Sequence, residues 1–450
     1  MPAQPLRGAP MVARLHACAG GAALEPAAMA LAVPALFLHA TYQPHVSIGL
    51  ASTSIDVTLA DVAIGLVALA AWRRAARDGF SPLRGGRLVL VFAALFVLSA
   101  LVALATPALL GEQYAFARHA VSALKLAWYA LLLPATMLLV RSTRDAVPLL
   151  RAIVVWSLAA TTWGVLQFAG LVTEFQGKRP GQREPSFVGI HDFAALSGAA
   201  LALGTIGLAA GDGRPLGRRF SAVALVSGAL GVVCSGAMTG VGGVWLAVAV
   251  ILLSVRAWGV LRSRRAVAVL AIVLLVSAGT AAMRATTLER FAEFLGLRDR
   301  IEDTGVESYA QRTLLAYIGG RIWLDHPLTG VGWQASSERW AYAPYLADAR
   351  ARFPDEPEEA FPSPERPWGI QTLYLQVAAD LGLAGVVALV GLFAAGIATA
   401  VREIRDSPAA LAGLAFVLVA AGVWAGIGLV PGLPLAALTW LGFGLVTARA

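Results

Sequence analysis

Charged residues and cysteines are scarce in this chain of 450 residues. Only 14% of its residues are charged, whereas a soluble domain carries about 25%. Its two cysteines, Cys18 and Cys234, are too few for a disulfide framework or a cysteine metal cluster. A Walker loop, a dinucleotide fingerprint, a zinc pattern and a nucleophile elbow are also missing from the sequence. These absences argue against a soluble enzyme built on such a motif, and we predict no cofactor and no metal site.

Apolar residues dominate instead, at 58% of the chain. A helix of about 20 apolar residues spans a bilayer, and the sequence contains many such runs. They cover residues 22–40, 55–72, 88–108, 119–140, 149–171, 188–210, 219–234, 238–255, 266–283, 382–401, 408–429 and 431–447. The sequence therefore predicts an all-α polytopic membrane protein with about twelve transmembrane helices.

The positive charge follows the loops between these runs. Alternate loops at 73–87, 141–151, 211–219, 255–265 and 401–406 hold 17 arginines, whereas the intervening short loops hold only Arg118, Lys178, Arg179 and Arg183. Such a bias marks the cytoplasmic side of a membrane protein. We expect a multi-pass protein of the cytoplasmic (inner) membrane with both termini cytoplasmic. The net charge of +8 then reflects topology and contact with membrane lipids, not a nucleic-acid partner.

This topology divides the chain into four parts. Residues 1–21 form a cytoplasmic tail, 22–283 a nine-helix membrane region, 284–369 a large extracytoplasmic loop containing short helices, and 370–450 a loop-exit helix with the last three spans. The large loop holds 10 arginines and 14 acidic residues, so the positive excess of the chain does not come from it.

A helix followed by a turn is predicted in the middle of the large loop. Leu314, Ile318 and Ile322 recur at helical spacing, and Arg312 lies on another side of the same helix. The residue before Pro327 avoids helical geometry, so we expect the helix to end near His326.

The motif Arg312-(x13)-His326-Pro327-(x2)-Gly330-(x1)-Gly332 resembles the O-antigen ligase and polymerase superfamily. Two later stretches extend the resemblance, Gln371-Thr372-Leu373-Tyr374-Leu375-Gln376 and Gly382-Leu383-Ala384-Gly385. The layout is also similar, with about twelve spans and one large outward loop between the ninth and tenth.

The resemblance implies a membrane glycosyltransferase that needs no metal and no nucleotide sugar. Its donor is a glycan on an undecaprenyl-diphosphate carrier at the outer face of the membrane, and its acceptor is a glycan or a lipid. In this family arginines bind the diphosphate and a histidine is the candidate base. By this resemblance Arg312 is a catalytic and diphosphate-binding candidate, and Arg179, Arg183 and Arg321 are further diphosphate-binding candidates. An interfacial contact with lipid headgroups would explain Arg179 and Arg183 equally well.

Physical reasoning adds candidates inside or near the spans. A lysine within the fourth span is costly unless it snorkels or faces a polar cavity, so Lys125 is a candidate ligand of the diphosphate with Asp61 as a partner. His191 begins a span and is either a site residue or part of a capped helix start. His326 is either a catalytic base or a turn residue, and Tyr374 completes the set of site candidates.

Two departures separate this chain from the family pattern. Gln371 stands where the family has histidine, and a glutamine orients a hydroxyl but is no base near neutral pH. We keep Gln371 as a catalytic-site candidate. The stretch from Ser235 to Gly240 lacks the family's arginine. The departure at Gln371 favours a polymerase-like or divergent exopolysaccharide enzyme over a ligase. Two other hypotheses stay open: a transporter or flippase, and a non-catalytic protein that binds a lipid-linked glycan.

Overall fold

Helix is the dominant structure in the computed structural model of this chain. The model describes residues 24–50, 53–173, 180–210, 216–297 and 308–449. The predicted tail, residues 1–21, and the candidate Arg179 lie outside the described residues.

The helices before the large loop are α1 (Leu24–Leu36), α2 (Leu59–Asp78), α3 (Arg87–Ala103), α4 (Phe116–Ala130, continued by Leu132–Leu139), α5 (Thr143–Phe168), α6 (Ile190–Ala210), α7 (Arg218–Ser235), α8 (Met238–Ala257) and α9 (Ser263–Met283). The loop and the end of the chain contain α10 (Ala285–Phe294), α11 (Ser308–Asp325), α12 (Leu346–Arg352), α13 (Leu373–Glu403), α14 (Pro408–Trp424) and α15 (Pro434–Leu445). Short helical segments lie at Ala40–Tyr42, Pro82–Gly85, Thr106–Leu109, Ala335–Ser337, Arg339–Tyr342, Ala343–Tyr345 and Glu358–Ala360.

Each of the twelve predicted spans overlaps one of these helices. By length and composition, seven helices of the described chain could cross a membrane, namely α4 to α9 and α13. Helices α3, α14 and α15 are apolar but shorter, as is most of α1. The mainly helical polytopic class is therefore supported, and the number of spans stays a prediction.

A β-hairpin departs from the predicted all-α class. Strands β1 (His45–Leu50) and β2 (Thr53–Thr58) pair antiparallel. Apolar β-branched residues alternate along both strands, for example Val46 and Ile48 on β1, which is a pattern typical of strands. Helix α2 starts only after Thr58, whose side chain forms a capping box with Asp61. The predicted span at 55–72 therefore began four residues too early.

One end of the helix bundle carries arginine-rich connections, and we call it the arginine-rich end. Arg74 lies 3.9 Å from Glu25 at the start of α1 and 3.7 Å from Asp145 in the first turn of α5. Near the end of the described chain, the Arg449 carbonyl accepts a hydrogen bond of 3.1 Å from the Thr143 backbone N–H. The first and last described helices therefore meet the arginine-rich loops at one end of the bundle.

Helix α6 forms the centre of the bundle. Its apolar stretch is 94% buried inside the protein, far more than that of any other candidate span in the described chain. Glycines bring α6 and α7 into backbone contact, since a Cβ at Gly228 would lie 2.3 Å from the Leu201 nitrogen. This packing holds the first turn of α6, with His191, in the middle of the opposite end of the bundle. We call that opposite end the loop end.

Candidate functional site

Helix α11 brings Arg312 to the loop end because its apolar face is buried. The predicted face of Leu314, Ile318 and Ile322 is fully buried in a small core of the large loop. The helix ends at Asp325, as the position of Pro327 predicts. Arg312 lies just over one turn into the helix and away from the buried face, so its guanidinium points to a different set of partners.

Arg312 connects the large loop with the centre of the bundle. Its Nε donates a hydrogen bond of 2.9 Å to Oε1 of Gln371, and its Nη2 lies 3.4 Å from Nε2 of His191. Arginine has no acceptor, so Nε2 of His191 has to accept and the proton of the neutral ring belongs on Nδ1. Nδ1 of His191 is buried and has no hydrogen-bond partner in the described part of the chain. Three predicted candidates from distant segments are thus brought together.

Two further arginines flank the turn between α7 and α8. Gly236 is in the left-handed conformation, and a Cβ there would lie 2.8 Å from Cβ of Arg183 and 3.5 Å from Cδ of Arg284. The turn itself carries no arginine, but these two arginines from other segments lie against it. The ring of Tyr309 links Arg284 with Arg312, since its centroid lies 5.3 Å from Cζ of Arg284 and 5.9 Å from Cζ of Arg312. We call Arg183, Arg284 and Arg312 the arginine cluster.

The arginine cluster concentrates positive charge in a partly buried place. Burial and the neighbouring Arg284 and Arg312 lower the pKa of Arg183 to about 10, which leaves it charged at neutral pH. Arg284 is buried, and its Nε has no hydrogen-bond partner among the described residues. Unused guanidinium donors of this kind suit a phosphate group, which accepts bidentate hydrogen bonds from arginine. The described residues contain no group of three His, Cys, Asp or Glu side chains placed to hold a metal.

Two other sequence candidates on α11 lie away from the arginine cluster. His326 follows Arg312 by fourteen residues, which is about 21 Å along a helix. Arg321 is half-exposed, and its Nε lies 3.5 Å from Oδ2 of Asp348. The structure does not bring either side chain to Arg312.

Lys125 and Tyr374 also have other partners. Nζ of Lys125 lies 3.3 Å from Oδ2 of Asp61, the predicted partner, and 3.0 Å from the Asp56 carbonyl. The pair lies in an apolar groove of about 630 Å³ beside β2, α2 and α4. The hydroxyl of Tyr374 donates a hydrogen bond of 2.6 Å to the Ala421 carbonyl on α14. These contacts explain both side chains without a ligand.

The turn after α11 packs against a break in α13. Gly382 has a positive φ of 62°, which interrupts α13 and leaves carbonyls without helical donors. The backbone N–H groups of Val331 and Gly332 donate to the carbonyls of Ala379 and Asp380, each at 2.9 Å. A Cβ at Gly330 would lie 2.3 Å from the carbonyl carbon of Asp380. The His-Pro-x-x-Gly-x-Gly motif is therefore a backbone docking element.

Asp380 strengthens this junction with its side chain. The buried carboxylate accepts hydrogen bonds from the backbone N–H groups of Gln334 (3.1 Å) and Ser336 (3.0 Å) and from Nε2 of Gln376 (3.2 Å). On α4, His119 Nε2 lies 2.8 Å from Glu338 Oε1. The large loop is thus fixed to α13 and α4, and this fixation holds α11 and Arg312 in place.

Arg284 and Tyr309 were not among the sequence candidates. Arg284 directly follows α9, at the end of the bundle where the charge pattern predicts few arginines. The sequence signal that could have found Arg284 is its position at the end of a span, on the side where few arginines are expected. Tyr309 lies three residues before Arg312, but nothing in the sequence predicts that two guanidinium groups lie over its ring.

The fold and this site define a mainly helical protein with several helices that could cross a membrane and a cluster of arginines at one end of its bundle. Residues 223–390 match the protein-family model described as O-antigen ligase. The match confirms the predicted resemblance to the O-antigen ligase and polymerase superfamily for this part of the chain. Arg284, Arg312 and Gln371 lie inside the match, whereas Arg183 and His191 precede it. No curated protein matches the chain.

Proposed function

We propose that the chain is a membrane glycosyltransferase that transfers or polymerises a glycan from a polyprenyl-diphosphate carrier, as ligases and polymerases of this family do. The arginine cluster is the observation that carries this proposal. Its three guanidinium groups come from three separate segments and meet beside His191 at the loop end. A diphosphate is the anion whose charge and oxygen count suit three such groups.

The arginine cluster has a direct role in the proposed reaction. An acceptor hydroxyl oxygen forms a bond to the anomeric carbon of the donor sugar, and the bond from that carbon to the diphosphate oxygen breaks. The leaving diphosphate gains negative charge in the transition state. Fixed donors that face developing charge lower a barrier more than donors that must reorient, and removing one such donor costs about 10²–10³ in rate. Arg183, Arg284 and Arg312 are held by the fold before the donor arrives.

His191 and Gln371 are the residues that we propose to hold Arg312 in position for the reaction. Gln371 occupies the position of the family histidine and holds Arg312 through Oε1. Its amide takes no proton near neutral pH. Nε2 of His191 uses its one lone pair to accept from Nη2 of Arg312, so it does not take the proton of the acceptor hydroxyl. In this proposal Gln371 and His191 position Arg312, and the proton of the acceptor hydroxyl passes to water as the new glycosidic bond forms.

In our proposal this site lies on the outer face of the cytoplasmic membrane, as the charge pattern predicts. The arginine-rich end would then face the cytoplasm, together with both chain ends. Reporter fusions at residues 80 and 345 test this arrangement, because the two positions should report opposite sides. The same side for both fusions would contradict the topology.

A transfer assay tests the proposed function. The full chain is reconstituted in liposomes with a labelled synthetic undecaprenyl-diphosphate oligosaccharide as donor and an unlabelled oligosaccharide as acceptor. We expect Arg312→Gln to lower the transfer rate by about 10²–10³. Arg321→Gln on the same helix is the matched control and should retain the rate. Equal rates for the two variants would exclude the arginine cluster from the reaction.

The same assay separates the other two hypotheses. A flippase would move the labelled donor across the bilayer without forming product, and a non-catalytic binding protein would hold the donor without either event. Formation of a longer glycan by the wild-type chain, lost in Arg312→Gln, is the result that the transferase proposal requires.

A further inference from the structure

A second ligand-sized feature lies on the large loop beside the arginine cluster. It is a groove of about 1150 Å³ between α10, α11 and the segment after α12. We call it the loop groove. Its lining includes Glu293, Phe294, Thr313, Tyr317, Phe353 and Asp355. Ligand sites of globular proteins commonly enclose about 300–1000 Å³, so the loop groove has the volume for a ligand of several rings.

A row of aromatic rings connects the loop groove with the arginine cluster. The row begins at Tyr309, under the guanidinium groups of the cluster. It continues to Phe291 at 5.4 Å, to Phe294 at a further 5.8 Å and to Phe353 at a further 5.9 Å between ring centroids. Tyr317 meets Phe353 edge-on at 5.6 Å. The described parts of α10 and α11 thus present a nearly continuous aromatic path away from the diphosphate site.

The rings of this path are available at the groove surface. Phe294, Tyr317 and Phe353 are half-buried, and Thr313 between them is exposed. Tyr317 and Phe353 pack against the small core of the large loop on one side only. The partial exposure leaves ring faces and edges for contact with a ligand.

Carboxylates line the same groove. Glu293 and Asp355 lie at its wall, next to the aromatic rings, and Arg352 is the positively charged residue among its lining. Charged walls are unfavourable for an acyl chain, because burying them against hydrocarbon costs free energy. A pyranose ring has the opposite character: it offers an apolar face of C–H groups to an aromatic ring and hydroxyl donors to a carboxylate. The chemistry of the groove therefore matches a saccharide.

We propose that the loop groove binds the saccharide chain of the glycan substrate and that it selects sugars without negative charge. This proposal rests on the proposed glycan transfer. The arginine cluster holds the diphosphate, the aromatic path guides the chain, and the carboxylates accept hydrogen bonds from sugar hydroxyls. The same carboxylates repel uronate groups, since like charges at close range are unfavourable.

The first test measures saccharide binding to the full chain in lipid nanodiscs. The probe is an array of oligosaccharides that contain neutral, amino or uronate sugars and carry no lipid carrier. We expect binding to neutral or amino-sugar members and weak binding to uronate members. No binding to any member, or a preference for uronates, would overturn the proposal.

Variants then locate the bound saccharide. Phe353→Leu keeps an apolar side chain but removes the ring, and we expect about ten-fold weaker binding of the best neutral member. Thr313→Trp fills the groove from an exposed helix position without changing the core, and it should weaken binding at least as much. Leu324→Trp is the matched control, because Leu324 is exposed on the same helix outside the groove lining. Unchanged binding in both groove variants would contradict the site.

Carrier binding separates this proposal from the proposed function. Undecaprenyl diphosphate without sugar should bind equally to the wild type and to Thr313→Trp, and weakly to Arg284→Gln. Loss of saccharide binding with intact carrier binding supports the loop groove. Intact carrier binding in Arg284→Gln would instead contradict the diphosphate site and leave the saccharide result standing.

Discussion

The two ends of α11 carry the two halves of one sequence motif. One end makes its contacts through side chains, and the other makes them through the backbone. At the Arg312 end the side chains converge, so that a guanidinium meets Gln371 and His191. At the other end the contacts are made by the backbone. N–H groups of the turn after His326 donate to carbonyls of α13 that have no helical donor because of the break at Gly382. The first end offers charge to a ligand, and the second holds the helix that carries the charge.

This difference shows why the motif needs both an arginine and glycines. A guanidinium placed by a loose loop would sample many positions, and catalytic groups need placement within about 0.5 Å. The glycines at the turn permit close backbone contact, which fixes the direction of α11. The family motif thus describes one charged group and the joint that positions it.

Among the variants that test the difference between the two ends of α11, Gly330→Ala is expected to have the largest effect. The new Cβ would lie 2.3 Å from the carbonyl carbon of Asp380, at a backbone φ of +63°. We expect the free energy of unfolding to fall by about 3 kcal/mol and transfer activity to be lost with it. Thermal unfolding of the purified chain measures the loss. Gly320→Ala is the control, because a Cβ there meets nothing within 4 Å. A Gly330→Ala protein as stable as this control would contradict the docking role of the turn.

A smaller effect is expected from Asp380→Asn at the same junction. The amide keeps the shape of the side chain but retains one acceptor oxygen for three donors, from Gln334, Ser336 and Gln376. An unsatisfied buried donor costs about 1–3 kcal/mol, so the unfolding temperature should fall measurably. Limited proteolysis should also cut the large loop faster. Unaltered unfolding and proteolysis would mean that the loop does not depend on this carboxylate.

Two substitutions of Gln371 test the role of side-chain contacts at the Arg312 end of α11. Gln371→Ala leaves Nε of Arg312 without its acceptor, and a hydrogen bond to a charged group is worth about 1.5–3 kcal/mol. We expect the transfer rate to fall about ten-fold or more. Gln371→His restores an acceptor atom and a possible base, so its rate should stay close to that of the wild type or exceed it. A sharp loss in Gln371→His would show that the glutamine has a specific role of its own.

The smallest effect is expected from His326→Ala. His326 directly follows α11, and fourteen residues at ideal helical rise separate it from Arg312 by about 21 Å. Because the backbone forms the turn, the rate should change by less than about three-fold and stability by about 0.5 kcal/mol. Steady-state transfer rates decide the matter. A loss as large as that of Arg312→Gln would return His326 to the reaction and contradict the division of α11 into two ends.

Much of the fold follows from the sequence because apolar length and helical periodicity are local properties. The end of α11 could be predicted from Pro327, and its buried face from Leu314, Ile318 and Ile322. The β-hairpin before α2 was missed because the prediction relied on apolar length. Its alternating apolar residues lie next to a long apolar run, and hydropathy alone does not separate a short strand from the start of a span.

The site could be predicted only in part because it joins distant segments. Arg312, Arg183, His191 and Gln371 were recognised through the resemblance and through their places at span ends. The motif suggested one site for Arg312 and His326, whereas the geometry of the helix between them separates the two residues. Arg284 was missed because no sequence rule states that an arginine after α9 lies against a turn between α7 and α8.

Equilibrium binding of undecaprenyl diphosphate tests the central claim most directly. The measurement compares Arg284→Gln with Arg321→Gln in nanodiscs, using the full chain in both cases. Arg284 belongs to the arginine cluster, whereas Arg321 is half-exposed beside Asp348. The account predicts that Arg284→Gln weakens binding by about ten-fold or more and that Arg321→Gln binds like the wild type. Equal binding by the two variants would contradict it.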